Sequence, residues 1–212
     1  IHQEEGVNIV CGVGVDAFEG DAAVDKVICN NGDTYDADLV VIGVGIVPNI
    51  ELAEAAGIEV NNGIVVDDFA VTSDPDIVAA GDCTFHHNKI YDIWLRLESV
   101  QNASDQARSA AASICGKEKV YDALPWFWSD QYDIKLQMVG IHEGYTHFYQ
   151  RGEQEEDKFS LFFFRGERLI AIHTVNRPAD HMAGRKLITA GISPTQAQIE
   201  DAGFKLNSLL KK

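Results

Sequence analysis

The chain of 212 residues is 46% hydrophobic and sets 17 basic against 33 acidic residues, a formal net charge of −16. Such a composition supports a packed core, argues against bulk disorder, and leaves room for one large domain or two small ones. It also argues against nucleic acid or an anionic membrane as partner, because phosphate contacts need clustered Lys and Arg.

Cys11, Cys29, Cys83 and Cys115 form no C-x-x-C pair and match no zinc, iron–sulfur or dithiol spacing. They read as small hydrophobes of a reducing, cytoplasmic compartment. No apolar run reaches the ~18 residues of a membrane span, and no signal peptide is recognisable. The chain has no initial Met. It opens on the polar IHQEEG and continues into VNIV, so the expectation is that upstream sequence is missing.

Residues 7–49 read as β-rich. Val7 to Val10, Gly12 to Phe18, Val24 to Cys29 and Thr34 to Ala37 are strand candidates, with Asn31-Gly32 as a hairpin turn. The unbroken apolar run from Asp38 to Gly45, DLVVIGVG, predicts a strand covered on both faces and closed by Gly43-x-Gly45. Ile50 to Ala56 predicts a short helix stopped by Gly57. Short strands are expected at 58–60 and 64–66 around Asn61-Asn62-Gly63, and another in the run Ile77 to Ala80 that leads into Gly81-Asp82-Cys83. Residues 84–95 read as a polar and aromatic loop.

Glu98 to Cys115 is the clearest helix: Val100, Ala103, Ala107, Ala111 and Ile114 recur at helical spacing, and Gly116 ends it. Composition shifts near 117–125. Strands are expected over Tyr132 to Val139, Thr146 to Gln150, Lys158 to Arg165 and Arg168 to Val175, with a hairpin turn at Arg165–Arg168. A helix starts at Arg177-Pro178 and a last short one at Ser193-Pro194, the serine as cap.

Few residues announce chemistry. There is no G-x-S-x-G elbow, and adjacent His86-His87 reads as a solvated loop rather than a metal site. The full G-x-G-x-x-G fingerprint is absent. Gly43 and Gly45 admit a ligand close to a backbone, with tight packing an equal alternative. Asp82 is either turn punctuation or a carboxylate that holds a ligand hydroxyl.

The order of DADLVVIGVGIVPN, IVAAGDC, RLESVQNA, PWFWSDQYDIKLQMVG and IHTVNRP is more specific than any part. Over nearly the whole chain it resembles the C-terminal half of the NADH-dependent ferredoxin reductases, a family that includes putidaredoxin and rubredoxin reductases and the reductase components of Rieske-type dioxygenases. The fold class that this implies is α/β plus α+β, part of a flavoprotein with two dinucleotide-binding domains. Residues 1–47 would be the remainder of the NADH domain, 48–116 the C-terminal segment of the FAD domain, and 117–212 a C-terminal α+β domain.

The implied cofactors are FAD and NAD. By the resemblance, Gly81-Asp82 meets the FAD ribityl chain, the Val100 amide faces the flavin pyrimidine edge, and Trp128 lies beside the isoalloxazine. Trp126 is the more structural of the tryptophans. Glu98 lies near the nicotinamide path, Gly43 and Gly45 where NADH lies, and Pro48 and Asn49 at the crossing back to the FAD domain. No catalytic side chain or metal is called for. The implied partner is a small iron–sulfur protein, a ferredoxin or rubredoxin. An acidic partner of that kind calls for a basic docking site, for which candidates such as Arg165, Arg168, Arg177, Arg185 and Lys186 are few in a chain of net charge −16.

Both fingerprints of the family would lie in a missing N-terminal half of the same polypeptide. This chain alone is therefore expected to bind neither cofactor tightly and to be inactive. Two alternatives remain open: a sister NADH oxidoreductase (monodehydroascorbate reductase-like or apoptosis-inducing-factor-like), and a non-catalytic docking or dimer module.

Overall fold

The computed structural model describes residues 1–211. They divide into two compact units, Ile1–Val47 and Pro48–Lys212. In the first, β1 (Val15–Glu19), β2 (Lys26–Cys29) and β3 (Thr34–Asp36) form an antiparallel meander in that order. The Asn31-Gly32 turn closes β2 onto β3: the Cys29 amide donates to the Asp33 carbonyl at 2.9 Å, and Gly32 takes φ +88°.

Two expected strands are absent. Residues 7–10 are exposed and pair with nothing in a ladder. The run 38–45 is not a strand either, and Leu39, Val41 and Val44 are 79%, 85% and 89% exposed. A parallel strand needs neighbours at its edges and layers on both faces. The first unit holds only three antiparallel strands among its described residues, so this run has nothing to pair with there.

The second unit opens with α1 (Glu51–Ala55), which ends at Gly57 with φ +73°. A four-stranded sheet follows in the order β4 (Val60–Asn61), β5 (Gly63–Val66), β6 (Thr84–Asn88), β7 (Ile93–Leu95). β5 and β6 run parallel and the other pairs antiparallel. The stretch expected to be a loop is thus the β6–β7 hairpin. Its period of two is present, with Thr84, His86 and Asn88 buried between the half-buried Phe85 and His87, but its inward residues are polar. Ile77–Ala80, expected as a strand, contributes only the Val71–Val78 bridge.

Helix α2 (Val100–Ile114) is capped by Ser99, whose Oγ accepts from the Asn102 amide at 3.1 Å. Its orientation reverses the sequence reading. The helix buries Gln101, Asn102, Gln106, Ser109 and Ala110, while Val100 and Ile114 are 65% and 73% exposed. The inward Asn102 is engaged at both polar atoms, whereas Gln101 Oε1, Gln106 Nε2 and Ser109 Oγ have no partner among the described residues: the Tyr121 hydroxyl donates to Asn102 Oδ1 at 2.6 Å, and the Asn102 amide group donates to the Leu97 carbonyl at 3.0 Å.

Five antiparallel strands complete the unit: β8 (Trp126–Gln131), β9 (Ile134–Gly140), β10 (His147–Glu153), β11 (Lys158–Arg165) and β12 (Arg168–Val175), in the order β10-β11-β12-β9-β8. Helices α3 (Pro178–Thr189) and α4 (Gln196–Glu200) follow them. Val139, Phe162, Ile172, Ala183, Leu187, Ile199 and Leu206 form the main core. Ser193 was the expected cap of α4, but Thr195 takes that place in a capping box with Gln198. Ser193 Oγ instead accepts from the Leu169 amide at 2.9 Å. A second cluster, Phe163, Ile170 and Ala171, packs with Tyr91 of the β6–β7 turn. Among the described residues, no helix is long and apolar enough to cross a membrane.

Gly184 lets α3 approach the sheet: a Cβ there would lie 2.5 Å from Ile172 Cδ1 and 3.3 Å from Val139 Cγ1. Overpacking costs about 1–3 kcal/mol, and the helix-propensity gain of alanine returns about 1. Gly184→Ala should therefore destabilise by roughly 1 kcal/mol in urea unfolding.

Candidate functional site

Gly81, Asp82 and Cys83 form the turn that enters β6, so Asp82 lies at the start of a strand and not at the carboxyl end of one. Three interactions hold the turn. The Gly81 amide donates to Gln106 Oε1 of α2 at 2.8 Å, while the Thr84 hydroxyl sits 2.7 Å from that oxygen and 2.8 Å from the Gly81 carbonyl. Gly81 has φ +91°, which favours glycine. With the backbone pinned, the Asp82 side chain is exposed, and no described residue hydrogen-bonds its carboxylate. It is free to accept hydrogen bonds from a ligand.

Arg96, just after β7, joins this turn to the start of α2. Its Nη1 donates to Glu98 Oε1 at 2.6 Å and to the Asp82 carbonyl at 3.3 Å. Ser99 engages only the Asn102 amide, so the Val100 and Gln101 amides at the positive end of the helix bond to no described residue. Glu98, Ser99, Val100, Phe127 and Trp128 line a cleft of about 190 Å³ at this end. Trp128 is 45% exposed, with its ring 5.4 Å from that of Trp126. Trp126 packs against the main core under the Arg185 guanidinium, 5.1 Å from its ring centre.

His86 and His87 are not a solvated loop. They alternate on β6: His86 is 2% exposed beneath the Tyr121 ring, and His87 pairs with Asp92 at 2.9 Å. Neither ring nitrogen of His86 has a protein partner. Burial pushes His86 down to about 4, against an opposing pull from Asp68. Burial, helped by His142 whose ring lies 4.9 Å away, does the same to His173.

Both histidines stay neutral in the fold while their unfolded forms protonate near 6.5. The unfolded chain therefore binds more protons as pH falls, and stability drops between about pH 6.5 and about 4. His173→Gln should make that fall in urea-unfolding free energy shallower; an unchanged slope refutes the assignment.

Asp82, Gly81, Glu98 and Val100 meet around Arg96 and α2, with Trp128 across the cleft. Gly43 and Gly45 lie in the first unit, exposed and outside any strand. Pro48 and Asn49 open the second unit, half-buried and exposed respectively. Most of the basic residues expected to dock a partner are engaged within the fold. Arg165 holds the Glu143 and Gly144 carbonyls, Arg168 the Ile90 carbonyl, and Arg177 the Asp180 carboxylate. Arg185 lies over Trp126, beside Lys186. Sequence reasoning missed Arg96 and Gln106. RLESVQNA contains Arg96, but its role depends on contacts with residues 14 and 34 positions away.

Residues 1–107 match the model of the pyridine nucleotide-disulphide oxidoreductase family, and residues 126–210 match that of the reductase C-terminal domain. The chain belongs to the pyridine nucleotide-disulphide oxidoreductase family. Putidaredoxin reductase of Pseudomonas putida is 47% identical over 99% of this chain and 50% of its own length. Rhodocoxin reductase of Rhodococcus erythropolis is 45% identical over 97% and 48%. A crystal structure of the covalent putidaredoxin reductase–putidaredoxin complex superposes with a TM-score of 0.93 at 44% identity, over 99% of this chain and 51% of the other. The chain thus spans about half the length of the curated relatives it matches.

Proposed function

We propose that this oxidoreductase-family chain supplies part of the flavin site and the C-terminal domain of a cytoplasmic reductase that takes electrons from NADH through FAD to a ferredoxin or rubredoxin. The observation that carries the reading is the convergence of an unengaged carboxylate, Asp82, with a helix N-terminus and an exposed tryptophan. These groups fit a flavin. The Asp82 carboxylate would accept from ribityl hydroxyls. The Val100 and Gln101 amides would favour negative charge at the pyrimidine edge. Trp128 would cover a ring face and exclude water, and Glu98 would stand at the nicotinamide approach.

When bound, the flavin supplies hydride acceptance and one-electron donation. The chain's own residues orient and stabilise it, and no protein nucleophile takes part. The relatives' names support the partner class: those proteins are called reductases of putidaredoxin, rhodocoxin and rubredoxin. All four cysteines are free, which fits a cytoplasmic location.

The test uses the natural gene product that carries this chain. Flavin absorbance and steady NADH-dependent reduction of a two-iron ferredoxin are expected, with no turnover of disulfide or ascorbyl substrates. A flavin-free product, or one that turns over disulfides instead, overturns the reading.

A further inference from the structure

One guanidinium ties together three loops at the candidate cleft. The Arg96 side chain is 12% exposed. Its Nη1 donates to Glu98 Oε1 at 2.6 Å and to the Asp82 carbonyl at 3.3 Å, and its Nε to Asn62 Oδ1 at 3.3 Å. Asn62 turns β4 into β5, Asp82 lies in the turn before β6, and Glu98 immediately precedes the cap of α2. The arrangement needs Gly63. At φ +133°, a Cβ there would lie 3.2 Å from Arg96 Cδ and 2.8 Å from the Cys83 carbonyl oxygen. A planar fork reaches separate acceptors at fixed angles, which a lysine ammonium does not reproduce. Among the described residues, no other side-chain hydrogen bond joins Glu98 to the Asp82 turn.

We propose that Arg96 is a positioning residue of the cofactor site: it fixes the Glu98 carboxylate at the cleft mouth and holds the Asp82 turn in register with α2. This rests on the reading that the cleft takes a flavin. Arg96 would act on flavin binding through the Asp82 turn and on hydride delivery from NADH through Glu98. The two effects are therefore separable.

The experiment compares Arg96→Ala, Arg96→Lys, Glu98→Gln and the Arg96→Ala/Glu98→Gln double variant, all made in the full gene product. Amide exchange in flavin-free protein should rise together around residues 62–64, 81–84 and 98–101 in Arg96→Ala. FAD affinity and the rate of flavin reduction by NADH should each fall roughly tenfold. Arg96→Lys should recover the reduction rate in part, by keeping a charge near Glu98, and recover FAD affinity less. On the Glu98→Gln background, Arg96→Ala should no longer slow reduction but should still weaken FAD.

Unchanged exchange and FAD affinity in Arg96→Ala, or strictly additive rate losses in the double variant, overturn this inference alone. If Arg96→Ala does not fold, full wild-type behaviour of Arg96→Lys overturns it too. A wild-type gene product that binds no flavin overturns the reading of the cleft, and with it any role of Arg96 toward a cofactor.

Discussion

Arg151→Ala should cost the chain about 3–5 kcal/mol, the usual consequence of breaking a buried, hydrogen-bonded charge. The Arg151 side chain is 5% exposed. It donates to the carbonyls of Ile199 at 2.9 Å, Asp201 at 2.5 Å, Ala202 at 3.0 Å and Phe204 at 2.9 Å, which closes the C-terminal end of α4 onto β10. Its Nε lies 3.6 Å from Asp180 Oδ2, too far for a hydrogen bond but close enough for charge attraction. Asp180 also accepts from Arg177 at 2.5 Å and from Ser160 at 2.9 Å.

Alanine removes the donors for five carbonyls, the fifth being that of Gln198 at 3.4 Å, and half of the positive charge beside a buried carboxylate. Lysine restores the charge but not the fork, so Arg151→Lys should lose about half as much, roughly 2 kcal/mol. Urea unfolding measures both. A loss below about 1 kcal/mol for alanine would mean that water takes over the carbonyls.

Asp82→Ala should weaken FAD binding to the gene product by roughly 10–100-fold, the worth of one or two charge-assisted hydrogen bonds. Gln106 and Thr84 hold the turn backbone independently of the Asp82 side chain, so the fold should be unaffected and thermal unfolding of the apoprotein unchanged. Asp82→Asn keeps an acceptor oxygen without the charge and should fall between. FAD titration of apoprotein decides: wild-type affinity in Asp82→Ala removes Asp82 from the site.

The parts of the fold that follow local rules were legible in the sequence. The Asn31-Gly32 hairpin, the α1 stop at Gly57, the ends of α2 and the antiparallel run β9–β12 all rest on turn residues or periodicity within a dozen positions. Reading failed where burial and polarity part company. The run 38–45 is apolar yet exposed, and β6 and α2 are polar yet turn Thr84, His86, Asn102 and Gln106 inward. Hydrophobic patterning cannot show that a glutamine amide will be buried beside a threonine hydroxyl 22 residues away. The candidate site showed the same divide. Asp82, Glu98 and Trp128 were named from motif resemblance, but the arginine between them depends on pairings that no short window contains.

Tyr91 lies at the tip of the β6–β7 hairpin. Its hydroxyl donates to the Ile170 carbonyl at 2.7 Å and accepts from the Ile141 amide at 3.1 Å, and burial pushes its pKa up to about 12. Gly140, at φ +81°, leaves the space this phenol occupies. One oxygen thus stitches the hairpin to two strand ends of the five-stranded sheet. Fraying of the hairpin and fraying of the sheet margin then share a single free-energy cost, so the two open together, and a pull on either is borne by both.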